Sequence, residues 1–136
     1  MASTETTENI QRSDQDDTQV RWGDGAAIGA SPFRQLVGAA DTEGRLVVLA
    51  VDMPGRLHVD EHTHVHEDQI TVVMSGRIGA SVGEQRFVVE QGGVVFLPRG
   101  VPHAQWNLGD TDARLLEIYT PSGMEEVFAK APPVSV

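Results

Sequence analysis

The sequence predicts an all-β fold: an antiparallel sandwich or barrel of many short strands, closed by one short C-terminal helix. Three observations predict it. Apolar or alternating runs of strand length recur from Arg45 to Tyr119. Gly, Pro, Asp or Asn punctuates the chain between almost every pair of them, and such spacing marks an antiparallel β architecture. A single helix-start pattern, Ser122-Gly123-Met124-Glu125, lies near the end, with Ser and Glu three apart as in a capping box.

In chain order, residues 1–19 are rich in Ser, Thr, Gln, Asp and Glu, with Ile10 the one sizeable apolar side chain after the initiator. Such a segment cannot bury enough surface to offset its ordering entropy, so a flexible acidic arm is expected there. Val20-Arg21-Trp22 opens the folded domain, expected to span 20–136, and Gly23 to Gly29 reads as a loop. Arg45 to Met53 is a near-continuous apolar strand bounded by Glu43-Gly44 and Pro54-Gly55. Further strands are expected at Ile70–Met74, Arg77–Val82, Gln85–Glu90, Val94–Leu97, His103–Leu108 and Ala113–Tyr119. Gly109-Asp110-Thr111-Asp112 reads as a hairpin connection between the last two. The helix runs to about Lys130, where Ala131-Pro132-Pro133 stops it.

At 136 residues the chain is long enough for one domain with one core. Ten basic against twenty acidic residues leave a formal charge of −10, which argues against nucleic acid or an anionic membrane as partner. Cysteine is absent, so a metal would bind through nitrogen and oxygen. No apolar run approaches a membrane span and no signal-peptide core opens the chain, so the cytoplasm is the expected location.

Chemistry concentrates between Gly55 and Gly76, where four of the five histidines lie: His58, His62, His64 and His66. Alternate residues of a strand share a face, which puts His62 and His64 together with Cα atoms roughly 6.6 Å apart. A turn at His66 to Asp68 would return Gln69 beside them. His103, the fifth histidine, follows a second patterned stretch from Gly92, in which Pro98 and Gly100 suit a tight turn.

These two stretches resemble the paired signature motifs of the cupin superfamily. The second fits the usual form throughout: Gly92, five residues, Pro98-Arg99-Gly100, two residues, His103, three residues, Asn107. The first departs twice. Six residues rather than five separate Gly55 from His62, and Gln69 stands where glutamate is usual. The resemblance implies a double-stranded β-helix, or jelly roll, with His62, His64, Gln69 and His103 around one divalent cation at the barrel mouth, and a homodimer. Zinc is favoured over iron, manganese, nickel or copper, because an amide in place of a carboxylate leaves the full +2 charge on the ion and suits Lewis-acid chemistry. On the same argument Gln69→Glu should keep the metal and move its preference toward iron.

His66 continues the alternation and is a candidate extra ligand or base, or else a turn residue. His58 lies roughly 13 Å from His62 along a strand, too far for the same ion. Gln105 and Asn107 share the face of His103, the latter suited to supporting a turn. Trp106 takes the opposite parity and is expected in the core or an interface. Phe33, Phe87, Phe96 and Met74 read as pocket lining or plain core, Tyr119 and Arg114 as polar pocket groups or solvated positions, and Arg99 as exposed.

Closest in kind are the cupin-type aromatic polyketide cyclases of the resistomycin-pathway type. That similarity implies zinc-directed aldol ring closure of a poly-β-ketone in antibiotic biosynthesis, acting alone or beside other synthase components. A quercetinase-like non-haem dioxygenase and a non-catalytic small-ligand-binding cupin are the competing readings.

Overall fold

The computed structural model describes residues 25–130. The acidic arm expected at 1–19, the domain start at Val20 and the Pro132-Pro133 stop lie outside the described residues. Ten strands and two short helices follow in order: β1 (Ala26–Ala27), β2 (Arg34–Val37), α1 (Ala39–Thr42), β3 (Val47–Met53), β4 (His58–His62), β5 (Asp68–Ser75), β6 (Arg77–Val82), β7 (Gln85–Glu90), β8 (Val94–Leu97), β9 (His103–Asn107), β10 (Ala113–Thr120) and α2 (Met124–Lys130). They form a six-stranded sheet, β1-β2-β3-β10-β5-β8, and a four-stranded sheet, β4-β9-β6-β7, with every pairing antiparallel. Two facing sheets with crossovers between them make the expected jelly roll.

The core between the sheets follows strand alternation. On β10, Ala113, Leu115, Glu117 and Tyr119 point inward and are buried, while Arg114, Leu116, Ile118 and Thr120 point outward. Leu115 packs in the main core with Val73, Ile78, Leu97 and Val51, and Tyr119 in a second cluster with Val47, Leu49 and Met124. Burying each such aliphatic side chain stabilises the fold by about 1.5–3 kcal/mol.

Several expectations are corrected. The loop at Gly23 to Gly29 contains β1, and β2 and α1 were not anticipated, because they are short and lack alternation. The strand carrying His62 ends there, so Thr63 and His64 lie beyond it. Helix α2 starts after Gly123, whose N–H donates to the Glu125 carboxylate at 2.6 Å, whereas the Ser122 N–H donates to the Gly44 carbonyl; the Ser122 box does not form. Phe96 and Met74 are largely exposed, since both take outward positions, on an edge strand and at a strand end; Phe87 shares the inward parity of Val89 and, on the edge strand β7, remains exposed while lining a cavity with Val82, Val95 and Phe96. Phe96 pairs with Ile70, which pairs with Ile118, which pairs with Val48, giving an apolar row across the outer face of the larger sheet.

Trp106 is neither core nor free. It lies on the outer face of the smaller sheet, stacked on His58 with ring centroids 5.4 Å apart, and the Arg86 guanidinium covers it at 4.7 Å. Gly79 on β6 is its cross-strand neighbour, and a Cβ there would lie 2.1 Å from the indole. The absent side chain therefore lets the ring lie flat on the sheet and holds β9 in register. Gly79→Ala is expected to lower stability by about 1–3 kcal/mol, the usual cost of forcing atoms into a packed site. Thermal unfolding measures this, and an unchanged midpoint would show that the indole has somewhere else to go.

Candidate metal centre

The site is assembled from three places in the chain. β4 supplies His62, the segment after it His64, and β9 His103. Their ring centroids lie 4.9, 4.5 and 4.9 Å apart for the pairs 62–64, 62–103 and 64–103. One ligand atom from each lies within 4.8 Å of those of the other two.

The extra residue of the first motif shows its purpose here. His58 pairs with Trp106 and Val59 with Gln105, but His62, not Glu61, pairs with His103. The added residue is a β-bulge between Val59 and His62 that resets the alternation: His58 faces out against Trp106, whereas His62 faces in. The same distortion brings the His62 ring back onto its own strand, where Nδ1 meets the Asp60 carbonyl at 2.7 Å. A carbonyl only accepts, so Nδ1 carries the proton and Nε2 is left as the free lone pair.

His64 is fixed from the other side of the barrel mouth. Its carbonyl accepts the Gly100 N–H at 2.8 Å, and Gly100 sits at φ 76°, in the left-handed region that favours glycine. Arg99, expected merely exposed, anchors the same turn: its backbone N–H and guanidinium both bind the Asp68 carboxylate, at 2.9 and 3.0 Å. The turn before His103 is thereby tied to both His64 and the start of β5.

Gln69 is the second residue of β5 and is fully buried. Its Oε1 lies 3.1 Å from Nε2 of His64, and its Nε2 donates to Thr71 Oγ1 at 3.1 Å and to Glu117 Oε1 at 3.2 Å. His103 is fully buried, and neither ring nitrogen has a hydrogen-bond partner of normal geometry. Burial, then the charges His62 and His64 would carry, push His103 down to about 4, the Val101 backbone opposing only weakly. Burial and His62 lower His64 in the same way. Three neutral imidazoles, one of them orphaned on both nitrogens, and an amide oxygen turned toward them fit a divalent cation: buried polar atoms without partners are rare and call for one.

His66 falls outside this group. It occupies the bend between β4 and β5, exposed, because the strand that would have carried it ends at His62. Asn107 does support a turn, donating to the carbonyls of Met53, Pro54 and Thr111. Arg114 is on the outer face, paired with Asp52 at 2.8 Å.

Glu117 went unnoticed in the sequence. It is buried on β10, accepts a 2.5 Å hydrogen bond from the Tyr119 hydroxyl, and is pushed by burial up to about 7, with Tyr119 and Gln105 pulling the other way. The signal was its parity, one position in an alternation whose other members, Ala113, Leu115 and Tyr119, are apolar or aromatic. A cavity of about 240 Å³ lies beside the cluster, walled by His62, Gln69, Gln105, Glu117 and Tyr119 with Phe33 and Phe128 across from them. A second, of about 120 Å³, shares Phe33, Val59, Gln105 and Glu117 and ends on Val51, Met53, Leu57 and Leu115. Gln105 Oε1 is buried without a partner.

A cupin-domain family model matches residues 42–119, more than half of the chain. The chain belongs to the cupins. Among solved structures this cupin is similar to the Schizosaccharomyces pombe Cnp3 cupin domain, with TM-score 0.60 and 22% identity, covering 70% of this chain and 63% of that one. The match therefore spans under two thirds of that chain's length. It is also similar to KdgF from a Halomonas species (TM-score 0.62, 16% identity, 69% and 81% covered). A predicted oxalate decarboxylase from Thermotoga maritima is a further likeness (TM-score 0.62, 20% identity, 66% and 79% covered). At these identities the likeness is one of fold. No curated protein matches by sequence. Among the described residues no helix is long and apolar enough to cross a membrane.

His103→Ala is expected to abolish tight zinc binding, measured by chelator competition, while leaving the β-sheet circular dichroism intact; full occupancy in that variant would sink the site. The opposed shifts of His103 and Glu117 give a second expectation, for the metal-free protein. His103 takes up its proton later in the folded state, near pH 4 against an ordinary 6.5, so stability from this residue is lost as pH falls through that window. Glu117 keeps its proton longer when folded, so its contribution is lost as pH rises from 4.5 to about 7. The two slopes offset each other between pH 4.5 and 6.5. Glu117→Gln removes one of them, and its stability should rise with pH across that window by up to about 3 kcal/mol. Denaturant midpoints across pH read this directly, and a variant as flat as the parent would contradict it.

Proposed function

We propose that this cupin is a metal-dependent enzyme of the Lewis-acid type that closes a ring by aldol-type carbon–carbon bond formation on a poly-β-ketone. The observation that carries the reading is the neutral donor set, three imidazoles and an amide oxygen, at the polar end of a cavity whose far end is apolar. A divalent ion held by His62, His64, His103 and Gln69 would supply polarisation of a carbonyl oxygen and so acidify the neighbouring methylene.

The chain's own side chains supply the rest. Glu117 lines both cavities and is the carboxyl group placed to take the methylene proton, with Tyr119 donating to it. Tyr119 stays protonated, since burial and the adjacent Glu117 hold its hydroxyl well above the usual phenol range. Gln105 Oε1 is an acceptor for an enol hydroxyl. Phe33 and Phe128, stacked with centroids 4.1 Å apart, close the side opposite and limit water. Both cavities are smaller than the ~300–1,000 Å³ usual for drug-sized ligands, so the site holds the reacting segment of a chain and orients it.

Elemental analysis of protein purified without added metal, together with deuterium exchange at the methylene of a simple β-diketone, tests the reading. Near-stoichiometric zinc, exchange that depends on it, and no oxygen uptake are expected. Iron, manganese, nickel or copper with oxygen consumption would replace the cyclase by a dioxygenase. Absence of metal after reconstitution would leave a small-ligand-binding module.

A further inference from the structure

We propose that the accepting oxygen of Glu117 sets the orientation of Gln69 and that its carboxylate excludes a second one at position 69, so that the two side chains form a matched acceptor–amide pair. The inference rests on the metal-site reading for its consequence, but not for its geometry. Residues 117 and 69 lie on the neighbouring strands β10 and β5, where Glu117 is paired with Thr71 and Tyr119 with Gln69. They are thus diagonal neighbours on the inward face, within side-chain reach.

The hydrogen bonds leave one arrangement. An amide has two N–H donors and one oxygen acceptor. Both donors of Gln69 are used, toward Thr71 Oγ1 and Glu117 Oε1. The Thr71 hydroxyl can donate or accept, so it would tolerate either orientation. Glu117 Oε1 would not: it already accepts from Tyr119, and a flipped amide would set oxygen against oxygen in a buried site. Glu117 therefore turns the Gln69 oxygen toward His64, and only that orientation offers the histidine cluster a lone pair. Donation into a carboxylate also polarises the amide and makes Oε1 a better donor than an unsupported amide, as other groups behind metal ligands do.

The same geometry explains why residue 69 is not glutamate. A carboxylate there would place two acidic oxygens at the 3.2 Å now spanned by a hydrogen bond, with no N–H between them. Carboxylates that close share a proton or repel. From the sequence alone Gln69→Glu looks benign; against Glu117 it is not. The site holds one carboxylate and one amide, and exchanging them between positions 69 and 117 should preserve the pair once the Tyr119 hydroxyl turns: an amide nitrogen in the place of Glu117 Oε1, which takes both bonds, has two N–H groups, one for a glutamate at 69 and one for the phenol oxygen of Tyr119.

Five full-length proteins test this: the parent, Glu117→Leu, Glu117→Gln, Gln69→Glu and the double exchange Gln69→Glu/Glu117→Gln. Zinc affinity is read by competition with a chromophoric chelator, and metal-free stability by thermal unfolding. Glu117→Leu is expected to weaken zinc about 10–100-fold, the usual effect of removing a group that orients a ligand. Glu117→Gln keeps the accepting oxygen and should stay within about threefold of the parent on the same scale. Gln69→Glu should melt below the parent, and the double exchange should restore the midpoint. Equal zinc affinity in the parent and Glu117→Leu, or no recovery in the double exchange, would overturn the pairing. A parent that takes up no zinc would end the metal reading instead, while recovery of the metal-free midpoint would still decide the pair.

Discussion

Three imidazoles held with centroids under 5 Å apart inside a protein disfavour one another's charge, and burial holds the innermost, His103, neutral down to about pH 4. The rest of the structure is arranged around keeping them neutral and together. A neutral imidazole offers one lone pair and one N–H, and three lone pairs brought this close suit a cation. The β-bulge in β4, the Gly100 turn, and the Arg99–Asp68 pair each restrain one of the histidines from a different direction. The Gly100 turn and the Arg99–Asp68 pair stand outside the cavity lining, so two of the three restraints on the histidines lie away from the space they enclose.

The supporting network works on the opposite principle. Behind Gln69 each of these polar atoms has a partner: the Gln69 amide donates to Thr71 and Glu117, and the Tyr119 hydroxyl donates to the same Glu117 oxygen, so Glu117 accepts from both ends. A satisfied buried network is rigid, and rigidity is what an oxygen donor needs when it contributes less than an anionic one would. The orphaned atoms of His103 and the saturated atoms around Gln69 are therefore complementary, one set waiting for a ligand and the other presenting it.

Much of this was legible in the sequence because strand alternation has a short period. Arg77–Val82, Gln85–Glu90 and Val94–Leu97 stand where the alternation put them, and His62, His64, Gln69 and His103 do come together. What failed to show depends on events between strands. His58 has the sequence parity of His62 yet lies on the outer face, at the surface, because a single inserted residue separates the two. Phe96 and Met74 read as interior because they are large and apolar, yet their faces are set by pairing with Ile70 and by the end of β5. Glu117 was passed over since a glutamate in a strand is ordinarily solvated; only its inward neighbours Leu115 and Tyr119 mark it as a member of the site. β1, β2 and α1 are too short for any period to develop.

The two cavities meet at Gln105 and Glu117, and beyond them the wall changes from polar to aliphatic along the same strands: Tyr119 to Leu115 on β10, and His62 toward Leu57 ahead of β4. On the proposed function, reactivity and selectivity are written at different heights of one barrel. A lineage, or an engineer, can reshape the floor at Val51, Met53, Leu57 or Leu115 to admit a different molecule while the ligand frame stays untouched. Divergence in what is recognised can then run ahead of divergence in what is done to it.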